Sequence, residues 1–150
     1  MIESVFRDFL LKSPALLALV GTSVFQDRAP QNAPTPVMVL RKLRSEGTHD
    51  MGFLPGHSET RYRVLASALT FTELVAIREA LKGLDGYSIA NATLEGFDTD
   101  FNTVGTVLQS AMVVFEQDQF EESSQFFQLV MDWELMHTET FTPGLSVPIP

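Results

Sequence analysis

A change of rhythm at Thr70 constrains this chain more than any other feature of its sequence. Tyr62, Val64, Ala66 and Ala68 fall at every second position, the period of a strand with one buried face. Leu74, Ile77, Leu81 and Leu84 then recur at helical spacing, with Arg78 and Glu79 outside the stripe. Between the two patterns, Thr70 and Glu73 have the spacing of a capping box, in which each side chain satisfies a backbone N–H that the first helical turn leaves unpaired. Gly86 stands where a left-handed helix stop is expected. Arg61–Gly86 therefore reads as strand, short turn, helix and stop, a unit that must bury one strand face and one helix stripe.

Flanking patterns extend this unit into a sheet with helices. Ile2, Val5, Phe6, Phe9 and Leu10 form a narrow apolar stripe on an N-terminal helix, and Ser13 with Pro14 can cap and open a second helical segment ended by Gly21. The polar side of the first helix carries Glu3 and Asp8 and lacks the basic excess of a membrane-surface helix, so it is expected to pack on a sheet. Ser23–Arg28 is a short extended piece. Ala29–Pro36 holds three prolines, which remove ladder donors and make it a stiff connector.

Val37–Arg44 alternates as a strand, with Val37, Val39 and Leu43 expected on one side and Lys42 and Arg44 on the other. His49, Asp50, Gly52, Pro55 and Gly56 carry turn chemistry, so Val37–Ala68 reads as one long hairpin. Tyr87–Gly105 has scattered turn residues and room for a short strand near Ser88–Leu94. Val107–Glu116 is strand-like, with Val107, Ala111, Val113 and Phe115 expected on one face, and the acidic run Glu116–Glu122 is expected as a loop or hairpin tip. Phe127, Leu129, Met131, Trp133 and Leu135 then give the cleanest strand alternation, against Gln128, Asp132 and Glu134 on an acidic face. The expected architecture is α+β: a mostly antiparallel sheet with a long β-hairpin, packed on one face by the N-terminal helix and the central helix. Residues 1–139 make a single domain, and the proline-rich 140–150 a tail or arm whose Phe141, Leu145, Val147 and Ile149 could dock on a neighbour.

Length and composition narrow the function classes. At 150 residues one domain buries enough surface to need no metal or disulfide, and the chain has no cysteine, which removes thiolate metal sites and thiol nucleophiles. No apolar run is long enough to span a membrane, and Met1–Leu11 lacks the pattern of a signal peptide, so an intracellular soluble protein is expected. The net charge of −9 is unevenly spread: residues 1–75 hold eight bases and seven acids, residues 76–150 two bases and twelve acids. Affinity for nucleic acid through phosphate neutralisation needs the opposite balance. Half of the bases fall in the long hairpin, at Arg41, Lys42, Arg44, Arg61 and Arg63. They make either a solvated edge that discourages unwanted strand pairing or a subunit interface that receives an acidic neighbour. The acids Glu116, Asp118, Glu121, Glu122, Asp132 and Glu134 are the matching candidates for an acidic face.

Recognised reaction chemistry is missing from the pattern. His49, His57 and His137 lack metal-ligand spacing, no phosphate-binding or nucleophile-elbow motif occurs, and no cofactor is expected. Gly56-His57-Ser58-Glu59 sets three triad-type residues side by side, where neighbours on one strand point in different directions. The acidic run lacks the glycine-centred spacing of a calcium loop.

In order and spacing the chain resembles the tail completion or tail terminator (neck) proteins of long-tailed bacteriophages. Three stretches carry the resemblance: Val24-Phe25-Gln26-Asp27-Arg28-Ala29-Pro30-Gln31 followed by Pro36-Val37-Met38-Val39-Leu40; Arg61-Tyr62-Arg63-Val64 leading to Leu74-Val75-Ala76-Ile77-Arg78-Glu79-Ala80-Leu81 and Leu84-Asp85-Gly86; and Phe127-Gln128-Leu129-Val130-Met131-Asp132-Trp133-Glu134-Leu135. Val37 stands where that family commonly has an aromatic residue, and Tyr87–Gly105 and the segment after Thr140 are longer than its usual pattern. The resemblance implies a structural virion protein and no enzyme. It implies a homo-oligomer, a hexameric ring that completes the tail tube and joins it to the head, with tail tube and head-neck connector proteins as partners. No membrane and no specific nucleic-acid binding are implied, although DNA passes through such a ring. An acidic lining would suit that passage, because phosphate finds no site on it. Two readings stand beside this one: an acidic adaptor for a basic partner, and a small hydrolase built on His57, Ser58 and Glu59.

Overall fold

The computed structural model describes residues 2–21, 23–30, 33–48, 56–96, 98–103, 105–122 and 125–139. The N-terminal stripe folds as α1 (Ile2–Leu10), with Ile2, Val5, Phe6, Phe9 and Leu10 all buried. α2 (Pro14–Val20) follows, its first turn capped by Ser13 Oγ accepting from the Leu16 N–H at 3.3 Å. Gly21 ends it at φ +55°, a conformation that costs glycine least. β1 (Val24–Gln26) then runs parallel to β2 (Val37–Thr48), and the proline-rich connector lies between them outside any strand. β2 turns back antiparallel into β3 (Gly56–Ala68), which gives the long hairpin expected from the sequence. Both arms reach further than the alternation suggested. His49, Asp50, Gly52 and Pro55, read as turn residues, lie outside the described residues, as do Thr140–Pro150.

The central unit forms as its rhythm dictates. Tyr62, Val64, Ala66 and Ala68 of β3 are fully buried, and α3 (Phe71–Lys82) begins with Thr70 Oγ1 accepting from the Glu73 N–H at 3.2 Å. Leu74, Ile77 and Leu81 form its buried stripe. Its stop differs from expectation: Gly83, in right-handed conformation, is the cap, while Gly86 at φ +83° turns the chain into β4 (Tyr87–Ser88). The short strand expected near Ser88–Leu94 is confined to that two-residue β4, and α4 (Ile89–Glu95) follows. Gly96 at φ +72° caps α4, a signal placed too close to the preceding turn to separate a strand from a helix of about two turns.

β5 (Thr106–Glu121) and β6 (Phe126–Glu139) complete a six-stranded sheet in the order β1-β2-β3-β6-β5-β4, antiparallel except for β1 with β2. The acidic run is therefore strand rather than loop, because β6 pairs with it as far as Glu121↔Phe126. Two register shifts in β5, between Leu108 and Ser110 and between Val113 and Phe115, break its parity. Ala111 and Val113 consequently face the helices, whereas Val107 and Phe115 face away, against the single face expected. In β2 the buried residues are Met38 and Leu40, opposite the side that Val37 and Val39 share, and a register shift between Lys42 and Arg44 puts those two, expected on one side, on opposite faces.

α1, α2 and α3 cover one face of the sheet. Phe6 lies 4.9 Å from Tyr62 and 6.0 Å from Trp133 between ring centroids, and Phe9 meets Phe101 at 5.4 Å and Trp133 at 6.3 Å. These contacts join one core cluster that runs from Ile2 through the sheet to Leu135. Each buried aromatic ring contributes a few kcal/mol of apolar burial, so α1 is fixed to the sheet chiefly through Phe6 and Phe9.

Candidate functional site on the helix-free face

The face opposite the three helices is built by register. Arg41, Arg63, Asp132 and Phe115 lie level across β2, β3, β6 and β5, and Arg44, Arg61, Glu134 and Met112 form the adjacent rung on the same face. Each rung begins with two arginines, passes to an acid and ends on an apolar side chain. Cross-strand arginines at that spacing repel unless an anion answers them. Asp132 supplies it: Arg63 donates from Nε to Oδ1 at 2.9 Å and from Nη2 to Oδ2 at 3.2 Å, a two-pronged fork, and Arg61 Nη2 reaches Oδ2 at 3.4 Å. The Asp132 side chain is only 3% exposed, while those of Arg61 and Arg63 are 34% and 38% exposed. Hydrogen bonding to Asp132 raises the Arg63 pKa above its ordinary value. The guanidinium groups thus shield the carboxylate and turn their outer edges to solvent.

The third rung, Val39, Leu65, Val130 and Gln117, is largely apolar, and Met112, Phe115 and Met136 stand 52%, 43% and 43% exposed at the β5–β6 side. This mixture of arginine forks, one shielded carboxylate and exposed Met and Phe has the chemistry of a protein contact surface, where aromatic, Met and Arg side chains are enriched.

Not all of the sequence-predicted site residues share this face. Arg41, Arg44, Arg61 and Arg63 do, but Lys42 lies on the helix-covered side, where its Nζ donates to Glu3 Oε1 of α1 at 2.7 Å. The acids are divided as well. Glu116 and Asp118 face α3 and pair with Lys82 at 2.7 Å and Arg78 at 2.8 Å, and hydrogen bonding to Glu116 raises the Lys82 pKa. Asp132 and Glu134 belong to the rungs, Glu121 accepts from Gln128 Nε2 at 3.1 Å, and Glu122 lies just past the end of β5. The division follows from alternation: Glu116 and Asp118 stand level with Met131 and Leu129 on the helix-covered side, while Asp132 and Glu134 take the intervening positions of β6. His57 and Glu59 point to the helix-free face and Ser58 to the other, so this trio does not converge. Among the described residues no group of three His, Asp or Glu side chains could hold a metal ion, and no helix is long and apolar enough to cross a membrane.

Sequence patterning gave no sign of one polar chain that runs inward from the surface. Ser45 Oγ, Thr60 Oγ1 and His137 Nε2 follow one another at 3.0 and 2.8 Å on the helix-covered side, with Thr60 and His137 almost wholly buried. Burial, and then the nearby Lys42 charge, push the His137 pKa down to about 4, so the ring is neutral at pH 7. Only the register, which sets Ser45 against Thr60, could have revealed it.

No protein-family model and no curated protein matches the chain. Among solved structures, the fold is similar to that of a chain in the virion of a native gene transfer agent particle, with a TM-score of 0.58 and 14% identity over 91% of this chain and 92% of that one. Coverage of this extent takes in helices and sheet alike, so the likeness is one of whole fold, and at that identity it establishes the fold alone.

Proposed function

We propose that the protein is a structural component of a phage-like virion. It serves as the subunit of a ring that completes the tail tube and joins it to the head-neck region, rather than as an enzyme. The observation that carries this reading is the fold shared, over 91% of this chain, with a chain of a virion particle. The order of the three resembling stretches supports the finer position at the tail terminus. The helix-free face supports a role in assembly, because its arginine rungs and exposed Met112, Phe115 and Met136 suit a protein partner. In this reading Arg41, Lys42, Arg44, Arg61 and Arg63 contribute to the contact between subunits, with tail tube and connector proteins above and below the ring. DNA passes through without a specific site.

Light scattering and negative-stain imaging of the purified protein, alone and with tail tube protein, test this. Closed rings, with tubes of uniform length ended by the protein, are the expected result. A strict monomer at high concentration that leaves tube ends unbound would overturn it.

A further inference from the structure

The sheet ends in two incomplete edges of opposite charge. β1 pairs only with Met38–Leu40, so among the described residues no strand lies beside the outer side of β2 from 41 to 48. At the other end β4 pairs only with Ser110 and Ala111, and beyond Val113, whose N–H is taken by Asp85 Oδ1 at 2.8 Å, no strand among the described residues lies beside β5 from 114 to 121. Unpaired edges of this length are templates for another strand. The β2 segment carries Arg41, Lys42 and Arg44 with one acid, Glu46, and the β5 segment Glu116, Asp118 and Glu121 with no base. Lys42, Glu116 and Asp118 are answered within the subunit by Glu3, Lys82 and Arg78, so the attraction between edges rests on Arg41 and Glu121, which meet only when β5 lies beside β2.

We propose that the 114–121 edge of β5 in one copy pairs antiparallel with the 41–48 edge of β2 in a second copy, so that the sheet runs from subunit to subunit. This deepens the ring reading above and rests on it. Strand direction agrees, since β5 already runs antiparallel to β2 within the fold, and a rotation about an axis along the strands keeps it so. A register that sets Glu121 opposite Arg41, Phe120 opposite Lys42, Gln119 opposite Arg44, Asp118 opposite Ser45 and Gln117 opposite Glu46 keeps every residue on its own face. It reuses the bulge at Leu43 in the way that β3 does. Glu121 then meets Arg41, and no two like charges stand opposite.

The displacement this register requires is also that of a closed sheet. Within one subunit Phe115 is level with Arg41, so neighbours shift along the strands by the separation of Phe115 from Glu121, roughly 20 Å at ~3.3 Å per residue. Spread over four strands about 4.8 Å apart, that shift gives a strand tilt near ~45°, at the upper end of the range for closed barrels. The contact is head-to-tail, and a rotation that closes it makes a ring.

The absence of native cysteine makes the test direct. Glu46→Cys and Gln117→Cys, combined in one chain and oxidised, should give a ladder of covalent multimers, while each single variant stays unlinked. The two positions lie three strands apart within one subunit, too far for an internal disulfide. Light scattering runs in parallel. Rings without a ladder would overturn the edge pairing and leave the ring reading intact, whereas a monomer at every concentration would overturn both. Disulfide dimers from a single variant would mean that an edge pairs with itself, which also overturns the proposal. Hydrogen exchange on the unaltered protein provides a second measurement: amides in 41–48 and 114–121 should exchange at least about tenfold more slowly in the assembled form than in the dilute one. Equal rates in the two forms would sink it.

Discussion

Asp132 answers two guanidinium groups from a position almost closed to water, and this makes it the residue on which the helix-free face depends. Asp132→Ala leaves Arg61 and Arg63 facing each other's charge without a shared anion, with Arg41 and Arg44 opposite them in register. Loss of one member of such a shielded pair typically costs about 3 kcal/mol, and urea unfolding should show a loss of that order. Arg63→Ala should cost less, because Arg61 still reaches the carboxylate. His137 makes a separate prediction. Its folded pKa of about 4 lies below the ordinary histidine value near ~6.5. As pH falls through that window the unfolded chain takes a proton that the folded one refuses, so stability is lost on acidification, by about 3 kcal/mol in all. His137→Gln should flatten the pH dependence of the urea midpoint between pH 7 and 4.5; an unchanged slope would show that other groups carry it. The sequence exposed Asp132 as an acid on a strand and His137 as a lone histidine, but not their partners, because both pairings depend on which residue of a distant strand stands opposite.

At the scale of elements, α3 links the two hairpins. Its buried stripe packs on β3 and β6, and Arg78 and Lys82 reach the outer strand at Asp118 and Glu116. Thr70→Ala removes the side-chain acceptor for the Glu73 N–H and should destabilise the protein by about 1 kcal/mol, read as a lower urea midpoint with an unchanged slope. Thr70→Ser should restore most of it. The strand-to-helix switch was plain in the sequence because buried positions repeat at two clean periods and a cap lies between them. β2 was harder to orient: Val37–Leu40 is apolar at every position, so alternation alone could not choose its buried face, and the structure chose Met38 and Leu40. In β5 the composition misled twice. The bulges reset its parity, and the acids that looked like a loop are held in strand by β6 on one side and the cations of α3 above.

Across the whole molecule, bases gather on β2 and β3 at one side of the sheet, and acids on β5 at the other. Such a subunit is polarised across its strands. In the ring proposed above, two copies drifting together would be turned before they touch, each presenting its basic side to the other's acidic side, so association would be faster than random collision allows. That guidance reaches only as far as salt lets it, about 10 Å at 0.1 M and about 3 Å at 1 M. Stopped-flow mixing at those two ionic strengths should show the association rate constant falling by roughly tenfold or more with salt, while the dissociation rate, set by short-range contacts, changes little. On that proposal the uneven charge of the chain would act on time as well as on place: it would govern how quickly one copy finds the next, and assembly speed would become a property that the surrounding salt can tune.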